Sequence, residues 1–203
     1  MILASHNSWS YANPKYWYMY PFRFMSKCQN KDVIDQWVHG VRMFDLRINF
    51  DDYGCMQVRH GIMTFDISYN YLMNDLSFLN NKAKDESIYL RVILEQNRPD
   101  RLNQNFREWN FRRFCEALAE HFTNIKFIEG VRKFDWKEIY HFNTPKPQIL
   151  DKYNSATSIT NKVNKKWYSK LDDWWPWLYA TLYNHDNYGK NIDFEGYLMM
   201  DFI

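Results

Sequence analysis

The chain has 203 residues and a formal net charge of +2, from 26 basic and 24 acidic side chains. That balance argues against a nucleic-acid groove. Hydrophobic residues make up 46% and charged residues 25%, enough for one domain over residues 1–203 with a substantial core.

The apolar runs have strand length and strand composition. In chain order they are MILAS, VRMFDLRINF, MQVRH, IYLRVILE, NIKFIEG, PQILDKY and GYLMMDFI. Helical spacing lies between them. In SKCQNKDVIDQWVHG, Val33, Ile34, Trp37 and Val38 share a face, and Gly40 closes the helix. In NFREWNFRRFCEALAEHF the face is Phe106, Trp109, Phe114, Leu118 and Phe122. NKKWYSKLDDWWPWLYATLYN is a third helix, broken or kinked at Pro176. Strands alternating with helices predict an α/β fold with parallel strands.

Polar residues gather near the carboxyl ends of the apolar runs: His6, Asp45, Arg47, His60, Glu95, Asp151 and Asp201. In a TIM-type (β/α) barrel those ends open on one face, where catalytic groups sit. Such a barrel usually needs about 250 residues. Only one strand, NIKFIEG, falls between Glu95 and Asp151, so the expected barrel is distorted and short of one β/α unit.

Asp45 and Arg47 are two apart on a strand and point to the same side. Two histidines, an arginine and carboxylates at one mouth suit phosphoryl chemistry. One His takes the proton of the attacking hydroxyl and the other protonates the leaving oxygen. The arginine fork holds the phosphate oxygens.

SHNSW, GVRMFDLRI, VRHG, LRVILE and the terminal YLMMDFI together resemble the X-region motifs of the phosphatidylinositol-specific phospholipase C superfamily, in order along the chain. The resemblance implies a distorted TIM-type barrel. It also implies an enzyme, a phosphoric diester hydrolase and lyase. The inositol 2-hydroxyl attacks the phosphodiester, diacylglycerol leaves, and water then opens the cyclic phosphate. By position, the resemblance makes His6 the general base, Asp201 its orienting carboxylate, and His60 the general acid. Asp45 matches an acidic residue shared by both branches of the family. Arg47 matches the phosphate-binding arginine of the metal-independent bacterial branch. Asn7 and Glu95 are expected to face the substrate. Asp151 and Tyr153 resemble a pair that contacts the inositol ring.

Asn7 stands where metal-independent members carry Asp and calcium-dependent ones carry Asn. Asn7, Asp45 and Glu95 are therefore an alternative Ca²⁺ set. Arg47 beside them would compete for the same electrostatic role, so the expected cofactor is none. An Asn in place of Asp beside His60 also predicts a lowered His60 pKa. Two further readings stand beside the enzyme. One is a non-catalytic lipid or sugar-phosphate binding barrel, motivated by Asn7 and the short chain. The other is a metal-dependent glycerophosphodiester-type phosphodiesterase. That family holds its metal with a Glu-x-Asp pair, where this chain has Asp45-x-Arg47.

Aromatic residues are 19% of the chain. Tyr16, Trp17, Tyr18 and Tyr20, and also Trp174, Trp175 and Trp177, are read as core and rim packing. The alternative is a rim that dips into lipid headgroups. The basic stretch with Arg98, Arg101, Arg107, Arg112 and Arg113 is read as a solvated helix face. His39, His121, His141 and His185 are read as structural or exposed. Cys28, Cys55 and Cys115 lack metal-type spacing and are read as reduced thiols. No apolar run reaches about 18 residues, which argues against a spanning helix. No basic and apolar leader precedes His6, so the expected compartment is the cytoplasm, with release or peripheral membrane contact as the alternative. The expected partner is a phospholipid or other phosphodiester substrate.

Overall fold

Ala4 and Ser5 are buried at the end of β1 (Ile2–Ser5), the first strand of a computed structural model that describes residues 2–95, 103–132, 139–140, 153–155, 197–200 and 202–203. Beyond residue 127 its side chains are described only at 202 and 203. A 3-10 helix (Trp17–Met25) follows, and then α1 (Val33–Val38). The Asp32 carboxylate caps α1 by accepting from the Asp35 N–H at 2.8 Å. Val33 is buried as expected, but Ile34 and Val38 are exposed and Gln36 is buried instead. The Gln36 amide explains this. It donates to the carbonyls of Ser8 and Lys31, at 2.7 Å each, and accepts from Ser5 Oγ. Gly40 then adopts φ 94°, a turn that favours glycine.

In β2 (Met43–Phe50) every side chain is buried, and the alternation sorts them. Phe44, Leu46, Ile48 and Phe50 join the main apolar core. Asp45, Arg47 and Asn49 point to the opposite face. β3 (Met56–His60) and β4 (Met63–Thr64) form a hairpin, with Gly61 at φ 57° in its turn. α2 (Tyr69–Lys82) starts on Ser68, whose hydroxyl accepts from the Tyr71 N–H at 3.2 Å. It buries Leu72, Leu76 and Leu79 at helical spacing. This helix is not among those expected from the sequence.

β5 (Tyr89–Glu95) repeats the two-faced pattern of β2. Leu90, Val92 and Leu94 enter the core, while Arg91 and Glu95 are buried on the other face. α3 (Gln104–His121) covers the core with Phe111, Cys115 and Leu118, followed by Phe122. The expected face is rotated, because Phe106 and Trp109 are exposed. Arg107 causes the rotation and is itself buried rather than solvated. Its guanidinium donates to the Phe50 carbonyl, to Asn49 Oδ1 at 3.2 Å and to Asp52 Oδ1 at 3.0 Å. The remaining strands are β6 (Lys126–Arg132), β7 (Ile139–Tyr140), β8 (Tyr153–Ser155) and β9 (Tyr197–Met200). The third expected helix and the strand expected at residues 147–152 lie outside the described residues.

Strands β6, β5, β2, β1, β9 and β8 are neighbours in that order and run parallel, as expected for an α/β protein. Among the described residues the two ends of this sheet do not pair with each other, so they form an open sheet rather than a closed barrel. MQVRH departs from the parallel expectation. It is β3, antiparallel to β2. One edge of β2 is thus shared. β1 pairs at Met43 and Phe44, and β3 at Ile48 to Phe50. The two strands approach each other along that edge, so the residues at their carboxyl ends, His6 and His60, meet.

One buried carboxylate lies away from this edge. Asp75 Oδ2 accepts from Trp9 Nε1 at 2.8 Å. Burial pushes the Asp75 pKa up to about 6, opposed by the Trp9 hydrogen bond and assisted by Asp32. The folded value exceeds the unfolded one. The stability from this group is therefore full below about pH 4 and is lost as pH rises through about 6. Asp75→Asn keeps an acceptor for Trp9 and does not titrate. Urea unfolding at pH 4 and pH 7.5 is expected to show wild type losing about 2–3 kcal/mol relative to this variant. Parallel pH profiles for the two proteins would refute the assignment.

Candidate active site

β2 supplies the centre of the site. Asp45 and Arg47 lie within the strand rather than at its end, and both are buried, at 0% and 4% exposure. Arg47 Nε donates to Asp45 Oδ2 at 2.7 Å, and Nη1 lies 3.4 Å from Glu95 Oε2 at the end of β5. Arg91 Nη1 approaches Asp45 Oδ1 at 3.5 Å, one strand over in register Asp45↔Arg91. Two arginines and two carboxylates so neutralise one another on a face closed to water. Burial alone pushes the Asp45 carboxyl up. Arg47 and Arg91 reverse this and hold it well below the usual carboxylate range.

His6 follows β1 directly. Arg47 Nη2 lies 2.7 Å from His6 Nε2, and a guanidinium can only donate, so that nitrogen presents its lone pair. The loop after His6 is fixed from several sides. Asn7 takes φ 45°, and its N–H donates to Asp45 Oδ2 at 3.1 Å. The Ser8 N–H donates to the Asp45 carbonyl and the Asp45 N–H to Ser8 Oγ, both at 2.9 Å. Ser5 and Ser8 share a hydroxyl–hydroxyl bond of 2.6 Å. The small polar residues around His6 thus lock its position against β2.

The His6 and His60 rings meet edge to face, with centroids 5.4 Å apart. His60 Nδ1 lies 2.9 Å from the Ser26 carbonyl and 3.7 Å from Cys28 Sγ. Burial pushes the His60 pKa down to about 4; the Arg47 charge adds to this, and Glu95 opposes it. The direction agrees with the sequence expectation, but the first cause is desolvation rather than the identity of residue 7. The hairpin that carries His60 is held by the Gly61 N–H, which donates to Glu95 Oε1 at 3.1 Å.

The structure thus brings together His6, Asn7, Asp45, Arg47, His60 and Glu95. Asp201 and Asp151 lie outside the described residues. So does the side chain of Tyr153, whose backbone opens β8. The Asn7 amide is buried, and neither of its side-chain atoms has a partner among the described residues. Sequence reasoning missed Arg91, the Ser26 carbonyl and Cys28. Arg91 had a signal, as the charged residue that alternates with core positions in LRVILE. Cys28 had none.

The 3-10 helix that leads into Ser26 and Cys28 packs on the core through Met19, but most of its rings are exposed. Trp17 is 83% exposed, Tyr18 53% and Phe22 50%. The core reading of Tyr16, Trp17, Tyr18 and Tyr20 is therefore corrected, while Trp174, Trp175 and Trp177 lie outside the described residues. Pro21 within this segment and its 3-10 geometry turn the aromatic rings outward instead of onto one buried stripe.

A parallel α/β sheet with an arginine held between carboxylates, and two histidines beside it, defines a candidate site for phosphoryl chemistry. No protein-family model matches the chain, and no curated protein matches it. Solved structures to which the chain is similar include bacterial phosphatidylinositol-specific phospholipases C. The Listeria monocytogenes structure aligns with a TM-score of 0.60 at 16% identity, over 99% of this chain and 87% of that one. The F249X mutant from Staphylococcus aureus aligns at 0.57 and 15%, over 99% and 85%. Another S. aureus structure, described for modulation of its membrane binding, aligns at 0.58 and 15%, over 99% and 85%. At these identities the likeness is one of fold.

Proposed function

We propose that the chain is a phosphodiesterase that cleaves phosphatidylinositol or a related phosphodiester by histidine acid–base catalysis. The observation that carries this reading is the His6–His60 pair with Arg47 2.7 Å from His6 Nε2. His6 Nε2 takes the proton of the attacking hydroxyl as its oxygen bonds to phosphorus. The bond from phosphorus to the leaving oxygen breaks, and that oxygen takes a proton from His60. In the second step His60 accepts a proton from water as the water oxygen bonds to phosphorus, the ring P–O bond breaks, and His6 returns its proton to the ring oxygen released. Arg47 now donates to the nitrogen that the base needs. A phosphate anion is the stronger acceptor, and as Nη2 turns to it the lone pair is freed. The anion also supplies the negative charge that favours protonated His60, a role that Asn7 cannot take.

We place Asp201 as the carboxylate that orients His6, and Asp151 and Tyr153 on the headgroup. We take the closed, distorted barrel as the complete architecture, which the parallel run from β6 to β8 supports. The exposed rings of the 3-10 helix suit contact with a lipid surface. Among the described residues no helix is long and apolar enough to cross a membrane.

A Ca²⁺ held by Asn7, Asp45 and Glu95 is a poor fit. Arg47 already sits against both carboxylates, at 2.7 and 3.4 Å, where the ion's charge would be. The same guanidinium stands where a glycerophosphodiester-type enzyme would need a second carboxylate. The reading is tested by phosphorus NMR of the protein with phosphatidylinositol in detergent micelles, first in EDTA and then with Ca²⁺. A cyclic-phosphate signal of equal rate in both is expected. A signal only with Ca²⁺ would overturn the metal-free mechanism. Silence in both from folded protein would overturn the choice of substrate class and favour a binding role.

A further inference from the structure

Cys28 is fully buried beside the candidate acid–base pair, and the reaction does not use it. One ligand atom each from His6, Cys28 and His60 lies within 4.8 Å of the others. Cys28 Sγ is 3.7 Å from His60 Nδ1. In a tetrahedral zinc site, donors at bond lengths of about 2.0–2.3 Å lie roughly 3.5 Å apart. To close on an ion the cluster contracts by up to about 1.3 Å, and Arg47 Nη2, 2.7 Å from His6 Nε2, turns away.

The three ligands come from three separate segments, and each is fixed by backbone bonds. The His6 carbonyl accepts from Gln29 Nε2 at 3.1 Å. The Cys28 N–H donates to Ser10 Oγ at 2.9 Å, and the Cys28 carbonyl accepts from the Phe202 N–H at 2.7 Å. His60 ends β3, and its Nδ1 lies 2.9 Å from the Ser26 carbonyl, a bond that is given up when this nitrogen, the one 3.7 Å from Cys28 Sγ, takes an ion. One thiolate and two imidazoles form a soft to borderline donor set. They select Zn²⁺ and its neighbours over Ca²⁺ or Mg²⁺.

We propose that His6, Cys28 and His60 form a Zn²⁺ site, and that a bound ion shuts the enzyme off by occupying both histidines. The thiol proton is released as the sulfur–metal bond forms. The shut-off rests on the phosphodiesterase reading, but the binding does not. Protein ligands fill three of four positions, which leaves room for one water or phosphate oxygen.

Cobalt(II) reports on the site without any turnover. Titration of the reduced, tag-free full chain is expected to give a thiolate-to-cobalt charge-transfer band that saturates at one equivalent and is displaced by Zn²⁺. Cys28→Ser should abolish the band and weaken Zn²⁺ binding by at least about 100-fold, the upper end of the loss caused by removing an outer-shell partner. Cys55→Ser, at an exposed thiol, should leave the band unchanged. Phosphodiester cleavage should fall in step with Zn²⁺ occupancy, and Cys28→Ser should resist that inhibition, each protein being read against its own metal-free rate. No charge-transfer band from folded wild-type protein would overturn the site. A saturated band with undiminished cleavage would overturn the shut-off. A saturated band in a protein with no cleavage under any condition would uphold the site and overturn the shut-off together with the phosphodiesterase reading.

Discussion

His6→Ala is expected to slow phosphatidylinositol cleavage by about 10²–10⁴-fold, the range that a positioned proton-transfer group supplies. His60→Ala is expected to do the same. The double variant should be little slower than either, because the two rings act on one proton path. The measurement is the initial rate of cyclic-phosphate formation by phosphorus NMR, with urea unfolding of each variant as control. His6 is half-buried and its backbone is held independently of its ring, by the Gln29 amide and the Ser8–Asp45 bonds. The alanine variant should therefore fold with near wild-type stability. Full turnover from either folded variant would remove that histidine from the mechanism. A rate loss matched by an equal loss of stability would reduce its role to a structural one.

Those two histidines also show how far the sequence could be read. The apolar runs around them were legible, because hydrophobic alternation and β-branched composition mark a strand whatever its neighbours. Their relative direction was not. MQVRH reads like any other strand, yet it turns back antiparallel on β2, and only that reversal sets His60 against His6. Asp45 and Arg47 could be placed on one face by their spacing alone. Their depth could not, since it depends on Arg91 and Glu95 arriving from β5 to offset the charge. The helices α1 and α3 were legible as helices, but each turned to bury a polar residue. Gln36 and Arg107 gain several hydrogen bonds by going inside, and a count of apolar residues does not register such bonds. α2 was missed because its three buried leucines are diluted by asparagines on the solvent side. Cys28 left no trace at all, because His6 and His60 are distant from it in sequence and meet it only in the fold.

Arg47 is expected to separate chemistry from stability when it is replaced in two ways. Arg47→Ala leaves Asp45 and Glu95 buried without their shared cation, and among the described arginines and lysines Arg91 alone remains paired with Asp45. Breaking a buried pair in this way costs about 3–5 kcal/mol, which urea unfolding would show directly. Arg47→Lys keeps the charge but loses the fork. It should retain most of the stability and still lose about 10²–10³-fold in turnover, as when one donor to a developing oxyanion is removed. The reason lies in how the guanidinium is divided. Nε is held by Asp45 at 2.7 Å, Nη1 faces Glu95 at 3.4 Å, and Nη2 meets His6 at 2.7 Å. Of these contacts, the one to His6 is the bond to exchange for a phosphate oxygen, because it joins a cation to a neutral ring and the exchange frees the base. The bond to Asp45 then serves as the pivot. An ammonium group has no second edge, so it cannot hold Asp45 and turn toward phosphate together. Arg47→Lys with full turnover would show that a point charge suffices and would end the case for a pivoting fork.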